Sequence, residues 1–257
     1  MKYLNDINYK DCVGKILKSK NFGDFKIVKY NNSRNVEIQF INTGYETSAQ
    51  LEHIKNGNVK DPYVASVHGV GITGAKYPIT INGVHTKEYE LWCNMLKRCY
   101  SDTYQKKQPT YKGCEVSDNF KSYEYFYEWC HIQVGFNNKD WQLDKDLLVK
   151  GNKVYNESTC VFLPKEINSV LTKSTATRGE YLIGVYWAKT HKAFKAQVSK
   201  SKGKKEHLGS FNTELEAFNA YKTAKESFVK EQAEKWKGKI DERAYNALMN
   251  YQVEITD

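Results

Sequence analysis

The chain has 257 residues, with 39 Lys or Arg against 30 Asp or Glu, a formal charge of +9. Hydrophobic residues at 40% and aromatic residues at 14% suffice for ordinary buried cores, which excludes wholesale disorder, and the surplus of positive charge points to an anionic partner. No uncharged apolar run approaches the roughly 20 residues that cross a bilayer, and the opening MKYLNDINYKDC lacks the apolar stretch of an export signal, so a cytoplasmic protein without a membrane partner is expected.

Residues 14–19, 24–30, 35–41 and 45–51 are short runs rich in β-branched and aromatic side chains, divided by Asn-Phe-Gly, Asn-Asn-Ser and Asn-Thr-Gly. Alternation puts Phe25 with Ile27, and Val36 with Ile38 and Phe40, on one face. This predicts an SH3-like small β-barrel over residues 1–65, suited to docking a protein. Residues 66–86 are Gly-rich and aperiodic. Their GxGxxG match, from Gly69 to Gly74, has no helix after it, because Pro78 and Asn82-Gly83 interrupt the place where one should run; a flexible linker is expected, not a dinucleotide site.

Helical spacing follows. Residues 87–105 align Leu91, Trp92, Met95, Leu96 and Cys99, and residues 119–131 align Phe120, Tyr123, Phe126, Tyr127 and Cys130, both as core stripes. The most polar block comes next, with Gln142-Leu143-Asp144-Lys145-Asp146-Leu147-Leu148, Gly151-Asn152, Tyr155-Asn156-Glu157-Ser158-Thr159-Cys160-Val161-Phe162 and Ile167-Asn168. The six cysteines form no CxxC pair, so reduced thiols packed in cores are expected, with neither disulfides nor zinc.

From about Tyr181 the pattern changes to strands at 183–188, 193–200 and 205–211. A helix follows from Thr213, with Thr213 and Glu216 as a capping box and Ala217, Tyr221, Ala224 and Phe228 as its stripe. A short helix is expected over 241–250. In the middle strand Phe194, Ala196 and Val198 share the face that the helix must cover, leaving Lys195, Gln197 and Ser199 on the other. Between residues 189 and 205 lie Lys189, Lys192, Lys195, Lys200, Lys202, Lys204 and Lys205 and no acidic residue. Clustered lysines suit phosphates, and Gln, Ser, Tyr and His on one pleated face suit base edges; a thin sheet of this kind fits a major groove. The alternative is a lysine surface that only keeps the domain soluble.

Gly184-Val185-Tyr186-Trp187, Ala193-Phe194-Lys195-Ala196-Gln197-Val198, His207-Leu208-Gly209-Ser210-Phe211-Asn212-Thr213, Glu216-Ala217 and Ala220-Tyr221 resemble the Apetala2-type DNA-binding domain of plant regulators and phage nucleases. The resemblance covers about residues 181–228 and implies, within a domain of 181–257 that ends in a further helix, a three-stranded antiparallel sheet plus helix lying in the major groove of double-stranded DNA. Tyr186, Gln197, Ser199, Lys205 and His207 stand at the matching positions, and Lys189, Lys192, Lys195 and Lys204 are the further candidate contacts. Where the plant proteins carry Arg and Trp this chain departs, which implies a different base preference.

The central block, with Trp92, Met95, Arg98-Cys99-Tyr100, Tyr111-Lys112-Gly113-Cys114, Phe126 and Trp129 upstream, is similar to the HNH-type nuclease unit of phage homing endonuclease-like proteins. That similarity implies an HNH-like ββα unit with flanking helices over 87–175 and a divalent Mg²⁺ or Mn²⁺ with Asp144 as a metal-binding carboxylate; Asp146, two residues on, could approach the same ion, and Asn152, Asn156 and Glu157 are nearby polar candidates. It also implies a catalytic role for Asp146 and Lys145, with Asp144 and Asp146 on one face of the first strand. Lys145 stands where the family has its general-base His, and Thr159 where it has a helix Asn; an ammonium is a poor base.

The expectation is thus an α+β, phage-type DNA endonuclease in the host cytoplasm that swings its central unit onto a phosphodiester. Its rivals are a DNA-binding regulator or counter-defence protein whose nuclease scaffold has lost its base, and a module that binds a host or phage protein through the N-terminal barrel.

Overall fold

The computed structural model describes residues 11–171, 180–201 and 204–257, and the fold is α+β with several small sheets. It divides into two compact units, one of Met1–Thr110 with Asp118–Tyr127 and one of Tyr111–Ser117 with Glu128–Asp257. Among the described residues no helix is long and apolar enough to cross a membrane. All six cysteines are free thiols.

In the first unit, β1 (Ile16–Lys18), β2 (Asp24–Asn32), β3 (Asn35–Phe40) and β4 (Glu46–Ala49) pair as an antiparallel meander in chain order, followed by α1 (Leu51–Lys55). Phe25, Ile27, Val36, Ile38 and Phe40 are fully buried on its inner face with Leu51, Ile54 and Val59, each such side chain contributing about 1.5–3 kcal/mol by leaving water. Strands β1 and β4 are the edges, so among the described residues the sheet is open, not a closed barrel.

The stretch expected as a linker is mostly exposed but makes one close approach. A Cβ on Gly71 would stand 2.4 Å from Leu96 and 2.8 Å from Trp92, so only glycine lets the backbone approach α2 (Lys87–Tyr100) this closely. Gly71 and Gly74 of the GxGxxG match are therefore packing positions, Gly74 against Glu124, whereas Gly69 faces open space with a φ of 77°. Next comes a two-stranded hairpin, β5 (Thr80–Ile81) and β6 (Val84–His85), whose turn residues Asn82 and Gly83 have φ of 51° and 78°, the left-handed pair that a tight hairpin requires. The first expected helix breaks at Ser101, whose side chain caps the Tyr104 N–H of α3 (Asp102–Lys107). The second divides into α4 (Asp118–Lys121) and α5 (Tyr123–His131), and Trp92 Nε1 donates to the Phe120 carbonyl at 2.8 Å.

In the second unit, β7 (Glu115–Val116) pairs in parallel with β9 (Val154–Tyr155), while β8 (Trp141–Asp144) pairs antiparallel with β10 (Val161–Pro164), which leads into α6 (Lys165–Leu171). These elements form a ββα block. Then β11 (Val185–Ala188), β12 (Ala193–Ser201) and β13 (Lys204–Phe211) form an antiparallel sheet in that order. The 22-residue α7 (Glu214–Lys235) covers it, opened by the expected capping box of Thr213 and Glu216, and α8 (Glu242–Met249) follows.

Helix α7 enters two cores. Ala217, Phe218 and Tyr221 pack with Ala196 and Val198 of the sheet, whereas Val229 and Ala233 pack with Val161, Leu163 and Ile167 of the ββα block and Ala244 and Leu248 of α8. The expected swing of the central unit is thereby corrected, because one uninterrupted helix is core to both.

Candidate nucleic-acid interface

The open face of the β11–β13 sheet is built by register. Tyr186 stands opposite Lys195 and Lys195 opposite Ser210; Gln197 stands opposite His207 and Ser199 opposite Lys205. Directly opposed residues leave a sheet on the same side, and Ala196 and Val198, the alternate positions of β12, are buried toward α7. Tyr186, Lys195, Gln197, Ser199, Lys205, His207 and Ser210 therefore share the side away from the helix. Tyr186 is 39% exposed, and Ser199, Lys205, His207 and Ser210 are exposed as well.

A bulge sets this pairing. Between Ala196 and Gln197 the register moves from Gly209 to His207, leaving Leu208 as the extra residue, and Gly209 has a φ of 137°. Counting from the sequence pattern without the bulge does not bring Ser210 beside Lys195, which is why Ser210 was missed as an interface residue.

The carboxylates are kept off this face. Across β11–β13 the one acidic residue is Glu206, opposite the core-facing Val198, and it pairs with Lys200 at 2.7 Å. That hydrogen bond holds the Lys200 ammonium above its ordinary pKa. Lys189 and Lys192 are exposed in the turn between β11 and β12, with Lys192 in the left-handed region at φ 46°. The side chain of Lys204 lies outside the described residues.

The ββα block has a different character. Asp144 closes β8, and its Oδ1 accepts from the N–H of Asp146 at 2.9 Å and of Leu147 at 2.8 Å. Burial nonetheless pushes its carboxyl above the usual range. Lys145 turns inward with its side chain 6% exposed; Nζ donates to Asp146 Oδ1 at 2.5 Å and to the Asn152 carbonyl at 2.8 Å, and lies 5.5 Å from the Tyr155 ring centre. Nearby, burial pushes the Cys160 thiol up to about 12, so it remains an inert thiol.

Both asparagines hold turns. Asn152 Nδ2 donates to the carbonyls of Lys145 and Val154, each at 2.7 Å, and its Oδ1 accepts from Val154 N–H at 3.0 Å. Asn156 Oδ1 accepts from Ser158 N–H at 2.9 Å, Ser158 Oγ at 2.8 Å and Thr159 N–H at 2.9 Å, with Thr159 Oγ1 3.1 Å away. Arg243 of α8, gripped by Asp241, braces the same loop through the Glu157 carbonyl at 3.2 Å.

The Asn152 and Asn156 side-chain oxygens and Asp144 Oδ1 accept N–H or O–H groups, and Asp146 Oδ1 accepts from Lys145 Nζ. Asn152 and Asn156 are turn-holding residues. One expectation, the shared strand face of Asp144 and Asp146, is corrected. Asp146 lies past the end of β8, not on a shared strand face with Asp144. Among the described residues no three His, Cys, Asp or Glu side chains converge in a way that would hold a metal.

No family model, curated protein or solved structure matches this chain.

Proposed function

We propose that the protein binds double-stranded DNA through the open face of the β11–β13 sheet, with the Apetala2-type resemblance giving the mode, a sheet laid in the major groove. The observation that carries this reading is the register itself. It sets Lys195 and Lys205 among Tyr186, Gln197, Ser199, His207 and Ser210 on one side, while the one carboxylate of the three strands departs on the other. Ammonium groups meet phosphates, the amide and imidazole reach base edges, and no like charge repels the polyanion. The ββα block then acts as a hydrogen-bonded scaffold in which the Lys145 ammonium is the internal cation, and the protein is a DNA-binding regulator, of phage type by the same resemblance.

The test is fluorescence anisotropy of labelled duplexes against salt. Binding that weakens steeply, with a log–log slope of about −0.9 for each phosphate contact, is expected; anisotropy that stays flat in dilute buffer ends the proposal.

A second reading, the HNH-type endonuclease, is favoured by the ββα arrangement and by Asp144 at the end of its first strand. Incubation of supercoiled plasmid with Mg²⁺ or Mn²⁺ decides between them: nicking that disappears in Asp144→Ala supports the nuclease, and intact plasmid with bound protein supports the regulator. The N-terminal meander supports an SH3-like module for a protein partner by its length and its Phe25–Phe40 core.

A further inference from the structure

Two segments of the second unit serve both the sheet and the ββα block. Helix α7 lends Phe218 and Tyr221 to the sheet core and Val229 and Ala233 to the block core. Between these stretches, Lys225 is buried and its Nζ donates to the Val170 carbonyl at 2.6 Å, satisfying a free acceptor at the end of α6. Helix α6 also borders β12.

The second segment is residues 251–257. Tyr251 packs against both cores and Val253 is buried with Phe218 and Tyr221. Its backbone is held to α7, Val253 N–H donating to Glu226 Oε1 at 2.8 Å. Two carboxylates of the segment then reach the loop after β8, where Lys150 Nζ lies 2.9 Å from Asp257 and 3.1 Å from Glu254. Partial burial opposes that ammonium, but the two carboxylates outweigh it and hold the Lys150 pKa above its ordinary value.

We infer that the sheet and the ββα block open and close as one cooperative body, clamped by α7 and by residues 251–257, so that a ligand seated on the open face stabilises the block beneath Asp144 as much as the sheet itself. The alternative is two foldons joined by a helix, in which each ladder would exchange its amides independently. A shared helix alone allows that alternative. The buried Lys225 contact, the shared Tyr251 and the Lys150 strap oppose it, because opening the block would strand the Lys225 ammonium and the buried Asp257 carboxylate on the very helix and segment that form the sheet core.

Amide hydrogen exchange on the full chain tests this. Leu248→Ala removes a side chain from the block core alone. It should accelerate exchange in the β8–β10 and β11–β13 ladders by the same factor, within about threefold; acceleration confined to β8–β10 would overturn the inference. Should that variant not fold, the double change Glu254→Gln with Asp257→Asn loosens only the strap and must likewise shift both ladders together. Binding a labelled duplex, which is where the inference rests on the DNA reading, should slow both ladders equally, and protection of the sheet alone would again overturn it. A duplex that does not bind removes the DNA reading while the equal response to Leu248→Ala still stands.

Discussion

Gln197 stands directly across the ladder from His207, and both leave the sheet on the side away from α7. An amide and an imidazole side by side give a paired donor and acceptor display, the type of group that distinguishes bases, whereas the flanking Lys195 and Lys205 are point charges. The two kinds of residue must therefore fail differently. Gln197→Ala is expected to relax preference at one base pair by about 1–3 kcal/mol while leaving the salt dependence unchanged. Measured affinities for a panel of duplexes that fall uniformly would contradict the assignment.

Lys195→Ala and Lys205→Ala should each weaken binding to every sequence and reduce the salt slope by about 1. Lys200→Ala is the internal control. Its ammonium is engaged by Glu206 on the helix side of the sheet, so its loss should alter the slope little. A Lys200 effect as large as that of Lys195 would show that the open face is not the surface that meets phosphate.

Much of this interface was legible in the sequence, because alternation in β12 separates Ala196 and Val198 from Lys195, Gln197 and Ser199 without knowledge of the partner strands. The start of α7 was legible too, through Thr213 and Glu216. Three features were not. The 3.6-residue stripe on α7 announces a buried face but not that its second half faces a different core. The bulge at Leu208 and Gly209, which places Ser210 beside Lys195, leaves no mark on the hydrophobic pattern. Lys145 reads as solvent-exposed by charge, and only the fold shows it buried against Tyr155 with a carbonyl and a carboxylate as partners.

Asp144 gives a prediction that separates scaffold from nuclease. Burial raises its folded-state pKa above the ordinary 3.8, so its contribution to stability is fully present below that value and is lost as pH rises through the raised one. Asp144→Asn keeps an Oδ1 acceptor for the N–H groups of Asp146 and Leu147 but cannot ionise. Thermal melting should show the variant at least as stable as the parent at neutral pH, with the parent's acid-side gain removed and DNA binding intact. A variant much less stable than the parent at neutral pH would mean that the ionised form is needed.

Lys225 carries the opposite sign on the basic side. Burial lowers its folded-state pKa below 10.5. In the window between the lowered value and 10.5 the unfolded chain binds a proton that the folded chain has released, so stability rises with pH there. Lys225→Met retains the bulk of the side chain and removes the titration. Denaturant melts of the two proteins across that window should show the rise in the parent and its absence in the variant; parallel curves would refute the buried-ammonium assignment.

Gly184 shows why the segment Gly184-Val185-Tyr186-Trp187 begins as it does. Its φ is 80°, and a Cβ built there would stand 2.1 Å from the Tyr221 ring of α7. The left-handed backbone alone costs an L residue about 1–2 kcal/mol. Tyr221 is buried in one core with Ala196, Val198 and Val253, and the atoms approached, Cδ2 and Cγ, lie at the base of its ring rather than at a flexible tip. Gly184→Ala should therefore lower stability by about 1–3 kcal/mol and, with β11 displaced, weaken DNA binding through Tyr186 without changing any charged residue. The companion Tyr221→Leu relieves the overlap at the expense of the ring, so in combination the two losses should be less than additive. Equal, fully additive losses in a double-mutant cycle would mean that the glycine is required by the backbone conformation alone and not by the approach of the aromatic ring.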